Sequence, residues 1–140
     1  MRALGASAAM LLWLLASAIA SAQETPSAAT ELQRTLIETW VSVAAMQVRY
    51  GPSHPEVQEA RARLQAQRAS LVRALEGGEQ IDAQAVRAWL AVQLADVEAR
   101  LAEVSTRCGA GQPDLRTAER RRDALREAIT RMESSGRLLP

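Results

Sequence analysis

Ser53 and His54 stand side by side in Arg49-Tyr50-Gly51-Pro52-Ser53-His54-Pro55-Glu56-Val57, and the pair invites a nucleophile-and-base reading. Acyl transfer needs more than adjacency: a third group must orient the imidazole, and an oxyanion hole must receive the developing charge. No pattern in the chain supplies either. His54 is the only histidine and Cys108 the only cysteine, too few for a His/Cys zinc set. Gly109-Ala110-Gly111 lacks the preceding strand, the lysine and the Ser/Thr of a phosphate loop. With no acid, base, nucleophile or metal constellation assembled by spacing, the expectation is a protein without catalytic residues, metal or cofactor.

The arginine-rich stretch from Arg116 to Arg131 raises nucleic-acid binding next. Its acids argue against that. Glu119–Arg122, Asp123–Arg126 and Glu127–Arg131 lie at helical pairing distances, which describes a solvated, salt-bridged face. The interaction candidates within it are Arg120, Arg121 and Arg126, which would meet an anionic partner. Trp40 and Trp89 fall beside Leu and Val at helical spacing and read as core.

Positioning these residues requires helices. Leu32, Leu36, Val43, Met46 and Tyr50, with Thr39 filling the gap, step by four and three in a coiled-coil pattern. Ile37, Val41, Ala44 and Val48 form a second stripe beside it, so this helix needs a wide apolar surround. A second, narrower stripe helix carries Val57, Ala60, Leu64, Gln67, Leu71 and Ala74, and Gly77-Gly78 stops it. Asp82 is placed to cap a third helix, with Ile81 and Val86 as a hydrophobic staple. That helix continues through Trp89, Leu90, Leu94, Val97, Leu101 and Val104. A fourth has Leu115, Ala118, Leu125, Ile129 and Met132, fraying at Ser134-Ser135-Gly136. No segment alternates with strand period. Each helix is about 22 to 27 residues, or about 33 to 40 Å long. Short connections make neighbours antiparallel, so the expected fold is all-α: four long helices as two antiparallel hairpins, in an up-down-up-down bundle or as packed coiled-coil hairpins.

In this frame the Ser-His stretch has structural work. Gly51 suits a positive φ at the end of the first helix, and Pro52 blocks its continuation. Either Ser53 and Glu56 form a capping box, or His54 is the N-cap and Pro55 the first helical residue. Tyr50 is expected to close the hairpin end against Val57 with its hydroxyl left wet, which makes it an interaction candidate as well. The same order returns 58 residues later, where Arg107-Cys108-Gly109 and Pro113-Asp114-Leu115 align without gaps to Arg49-Tyr50-Gly51 and Pro55-Glu56-Val57. Gly109 and Pro113 are therefore turn residues too. Tandem hairpins over residues 28–77 and 81–135 are one reading, and convergent turn chemistry is the other. Residues 24–50 sum to −1 and 51–78 to +1, while 79–107 sum to −2 and 108–140 to +2, so each hairpin couples a more acidic first half to a more basic second half.

Residues 1–22 read as a signal peptide: Arg2, an apolar run from Ala3, then the small-x-small end Ala20-Ser21-Ala22. An uncleaved anchor is the alternative reading. The helical domain would occupy residues 23–140. Absence of lysine, asparagine and phenylalanine, with abundant alanine, looks like a GC-rich bacterial genome, so the expected destination is the periplasm or the exterior. Loss of Arg2 leaves sixteen arginines against sixteen acids, a neutral chain with no global attraction to nucleic acid or anionic lipid, and no stable membrane insertion is expected after cleavage. The lone Cys108 is either a buried small residue or an intermolecular link.

The Tyr50-Gly51-Pro52-Ser53-His54-Pro55-Glu56-Val57 string, followed by a charged helix, resembles the periplasmic region of bacterial polysaccharide chain-length determinant and exopolysaccharide export proteins, where a Tyr-Gly-Pro-x-His-Pro-Glu/Asp-Val stretch is typical. The resemblance runs from Arg49 to about Leu75. It implies a helical, oligomerising envelope protein that assists polysaccharide assembly or export. A second transmembrane segment and a kinase portion, both features of that family, are not found in this sequence. The functional expectation is a non-enzymatic periplasmic scaffold that binds an envelope protein or itself. The alternative is an ATP-independent periplasmic chaperone or stress adaptor with an apolar cradle between hairpins.

Overall fold

The computed structural model describes residues 25–107, 109 and 111–135, and the chain there is four α-helices with no strand. They are α1 (Ala28–Tyr50), α2 (Pro55–Glu76), α3 (Ala83–Arg107) and α4 (Pro113–Ser135). The expected signal peptide at 1–22, Cys108 and the fraying residue Gly136 lie outside the described residues. The fold is an all-α assembly of two antiparallel hairpins, α1/α2 and α3/α4, joined where α1 packs on α4.

The two stripes of α1 explain why it is the central helix. Leu32 and Leu36 face α2, where they meet Leu64, Leu71 and Ala74. Ile37, Val41 and Ala44 face the other hairpin and pack with Val86, Leu90, Leu125 and Met132. A helix apolar on one side only could not satisfy two partners. α2 packs on α1 and on no other described helix, which matches its narrow stripe and its many exposed arginines. α3 leans firmly on α4 but only lightly on α1.

The first three helices each start with a side-chain cap of a different kind. Ser27 Oγ accepts the Thr30 N–H at 3.2 Å. Asp82 Oδ1 accepts the N–H groups of Gln84 and Ala85, both at 2.9 Å. At α2 the cap is His54, whose Nδ1 accepts the Glu56 N–H at 3.3 Å, with Pro55 at the first helical position. Ser53 is exposed and makes no such bond, so the Ser53/Glu56 capping box is replaced by the histidine cap. Gly51 ends α1 at φ 85°, ψ 161°, a region only glycine occupies without strain.

The α1–α2 and α3–α4 turns share backbone bonds at a constant offset. His54 N–H donates to the Gly51 carbonyl at 3.4 Å, and Gln112 N–H to the Gly109 carbonyl at 3.3 Å. They differ in the positive-φ residue, which is Gly51 in the first turn and Gly111 in the second.

Candidate functional site

The turn residues are engaged with one another. Tyr50 stacks on His54, with ring centroids 4.8 Å apart and planes at 25°, while the Arg49 guanidinium lies 5.6 Å from the tyrosine centroid. The tyrosine ring thus closes on its neighbouring histidine, and Val57 close by is fully buried. The Pro52 carbonyl accepts Gln58 Nε2 at 2.7 Å. With its Nδ1 in a cap and one face against a ring, His54 is built into the chain reversal. Ser53 adds no hydrogen bond to it. Among the described residues no three His, Cys, Asp or Glu side chains gather as a metal site would require.

At the opposite end, a polar clamp that the sequence did not announce joins α1 to the α2–α3 connection. Ser27 Oγ donates to the Gln80 carbonyl at 2.7 Å, and Asp82 N–H donates to Thr30 Oγ1 at 2.9 Å. Glu79 accepts the Ala29 N–H at 2.8 Å. Thr30 is fully buried. A single threonine has no periodic signature, so only the fold reveals its partner 52 residues away.

The three candidate arginines have different fates. Arg126 reaches across to Glu98 on α3 at 2.6 Å, clipping α3 to α4. It does not pair with Asp123, which instead takes Arg122 at 2.8 Å, and of the three expected pairs along α4 only Glu127–Arg131 forms, at 2.6 Å. Arg120 is half-buried, with no ion pair among the described residues. Arg121 is exposed and also has no hydrogen-bond or ion-pair partner among them.

Arg121 occupies an unusual register. Asp114, Ala118, Arg121, Leu125, Ala128 and Met132 step by four and three along α4, so the arginine lies on the same seam as the core residues. It stays exposed because it lines an opening that α1, α3 and α4 leave between them. The packed core takes in Val86 and Leu90 of α3 and Ala124 to Met132 of α4. Towards the turn end, Leu94, Val97, Leu101 and Val104 are only half-buried, and Val48 is 42% exposed.

The opening is a groove between α1 and α3 with α4 as its floor. Its turn-end portion is a cavity of about 300 Å³, with Val97, Val104 and Ala118 beneath Arg49, Arg100 and Arg121. Among the described residues Asp114 is the one acid there, and it lies 3.7 Å from Arg49. An adjoining cavity of about 180 Å³ shares Val97 and Arg121 and is walled by Trp89 and Gln93 of α3 and by Glu38 and Ser42 of α1. Trp89 is therefore partly core and partly groove wall, whereas Trp40 packs on the core beside the Arg131 guanidinium. Such a surface can hold an apolar body and meet negative charge at one end.

No family model, curated protein or solved structure matches the chain. No helix of the described residues is long and apolar enough to cross a membrane.

Proposed function

We propose that this chain is a non-enzymatic helical interaction module of the bacterial cell envelope, exported through its N-terminal leader, which engages a partner protein in the groove between α1 and α3. The carrying observation is that groove: an apolar strip left open between α1 and α3, floored by a helix whose Arg121, in the core register, has no partner among the described residues. An apolar strip of this kind loses water favourably when covered. The turn string lends a context, an accessory role in envelope polysaccharide assembly or export. The non-enzymatic reading is supported by the use of His54 as a helix cap stacked on Tyr50.

The half-buried valines of the groove also favour a second reading, a chaperone that receives unfolded clients there. One experiment separates the two. A photo-crosslinking residue at Val104 should give a single discrete adduct in the native host, with the same protein identified each time. A ladder of unrelated adducts, together with suppression of client aggregation by the purified protein, would establish the chaperone. Absence of any adduct from Val104 would defeat both.

A further inference from the structure

We infer that the occupant of the groove is an amphipathic helix of a partner protein carrying acidic side chains at one end, and that Arg121 reads that acid. The inference rests on the interaction-module reading and specifies its partner. Geometry supplies the helical part. On α3 the wall residues Trp89, Gln93, Val97, Arg100 and Val104 recur at intervals of four, four, three and four, a continuous stripe on one helix face. From Trp89 to Val104 the stripe runs ~22 Å, the length of about four helical turns. α1 and α3 each pack on α4 but scarcely on each other, as diagonal members of a four-helix square do. The corner opposite α4, which no described helix fills, is the groove. α2 does not fill it, because α2 is spent on the other stripe of α1.

Charge supplies the acidic part. Arg49, Arg100 and Arg121 line the turn end, where Asp114 is the single carboxylate among the described residues, and Arg100 is already shared with Asp96 at 3.1 Å. Arg121 has no partner among the described residues, so an incoming carboxylate there displaces no existing ion pair. At the other end Glu38 faces the groove, which disfavours an acid and sets the direction of the occupant's charge. A free acyl chain fits this surface less well. Glu38, Ser42 and Gln93 would border its tail, and the trough is open along one side.

The test uses the full chain and an 18-residue synthetic helix with leucines at i, i+3, i+4 and i+7 and glutamates in its terminal turn. Calorimetry should show binding that weakens with added salt. Arg121→Ala should lower the affinity about tenfold, as loss of a charge-assisted hydrogen bond does. Arg116→Ala, an exposed arginine outside the groove, should change it less than twofold. A peptide with lysine in place of glutamate should fail to bind. Arg121→Gln serves as a second variant should the alanine protein not fold. The inference is overturned if the peptide does not bind, if Arg121→Ala and Arg121→Gln bind it unchanged, or if the lysine peptide binds as well. It is equally overturned if laurate occupies the groove in the peptide's place, or if sedimentation shows the groove closed by a second copy of the chain. A discrete partner crosslinked at Val104 alongside any of these failures would keep the interaction module and remove only the acidic helix.

Discussion

At the scale of single residues, two hydrogen-bonding side chains hold positions that apolar periodicity does not reveal. Thr30 is fully buried, receives the Asp82 N–H at 2.9 Å and lies 2.9 Å from the Ser27 hydroxyl. Thr30→Val keeps the shape and removes the oxygen, leaving a part-buried backbone donor unsatisfied. Such a loss costs ~1–3 kcal/mol, so urea denaturation of Thr30→Val should show a midpoint shift of that size with an unchanged slope. His54 is the milder case. Its cap bond is long at 3.3 Å and exposed, so His54→Ala should cost at most about 1 kcal/mol. A larger loss in the same assay would mean that the Tyr50 stack contributes more than its 4.8 Å separation suggests. If the protein's partner were lost while stability stayed intact, the turn itself would be a recognition surface.

At the scale of elements, the turns separate glycines by backbone geometry. Gly51 sits at φ 85° with nothing near its missing side chain, so the penalty for Gly51→Ala is conformational, ~1–3 kcal/mol. Gly77 lies at φ −72° in helical territory, and an added Cβ there would meet the Ala74 carbonyl at 3.3 Å, a contact that needs only slight adjustment. Gly77→Ala should therefore melt close to the parent, and Gly51→Ala several degrees below it. Equal melting of the two would refute a backbone origin for the first turn. Much of this level was legible in sequence: both stripes of α1, the Asp82 cap and the glycine stops follow from spacing and residue type alone. The reach of the α3 stripe was not. Leu94, Val97, Leu101 and Val104 have core periodicity yet are half-buried, because burial depends on how closely α1 and α3 approach each other, and they touch only lightly. Arg121 escaped for a related reason. Among six arginines between Arg116 and Arg131, charge composition reads as a solvated face, and only the packing of Leu125, Ala128 and Met132 shows that the arginine continues their line.

At the scale of the whole molecule, the unequal pairing of helices sets how the protein should open. Among the described helices α2 is held by α1 alone, through Leu71, Leu64 and Ala74 against Leu32 and Leu36. By contrast α1, α3 and α4 share one core around Ile37, Leu90, Leu125 and Met132. Leu71 and Leu90 are both fully buried, so truncation of either removes a similar apolar volume, typically ~2–5 kcal/mol. The consequences should differ in extent. Leu71→Ala weakens a contact that only α2 needs, so hydrogen exchange should accelerate along Pro55–Glu76 while α3 and α4 keep their protection. Leu90→Ala strikes the shared core, so protection should fall together in α1, α3 and α4, and with it the groove that α3 walls. The peptide that binds the groove should then still bind Leu71→Ala at near-parental affinity and lose its hold on Leu90→Ala. Uniform exchange throughout the chain in Leu71→Ala would mean that the four helices open as one unit, and that α2, despite touching only α1, is required to keep the site in shape.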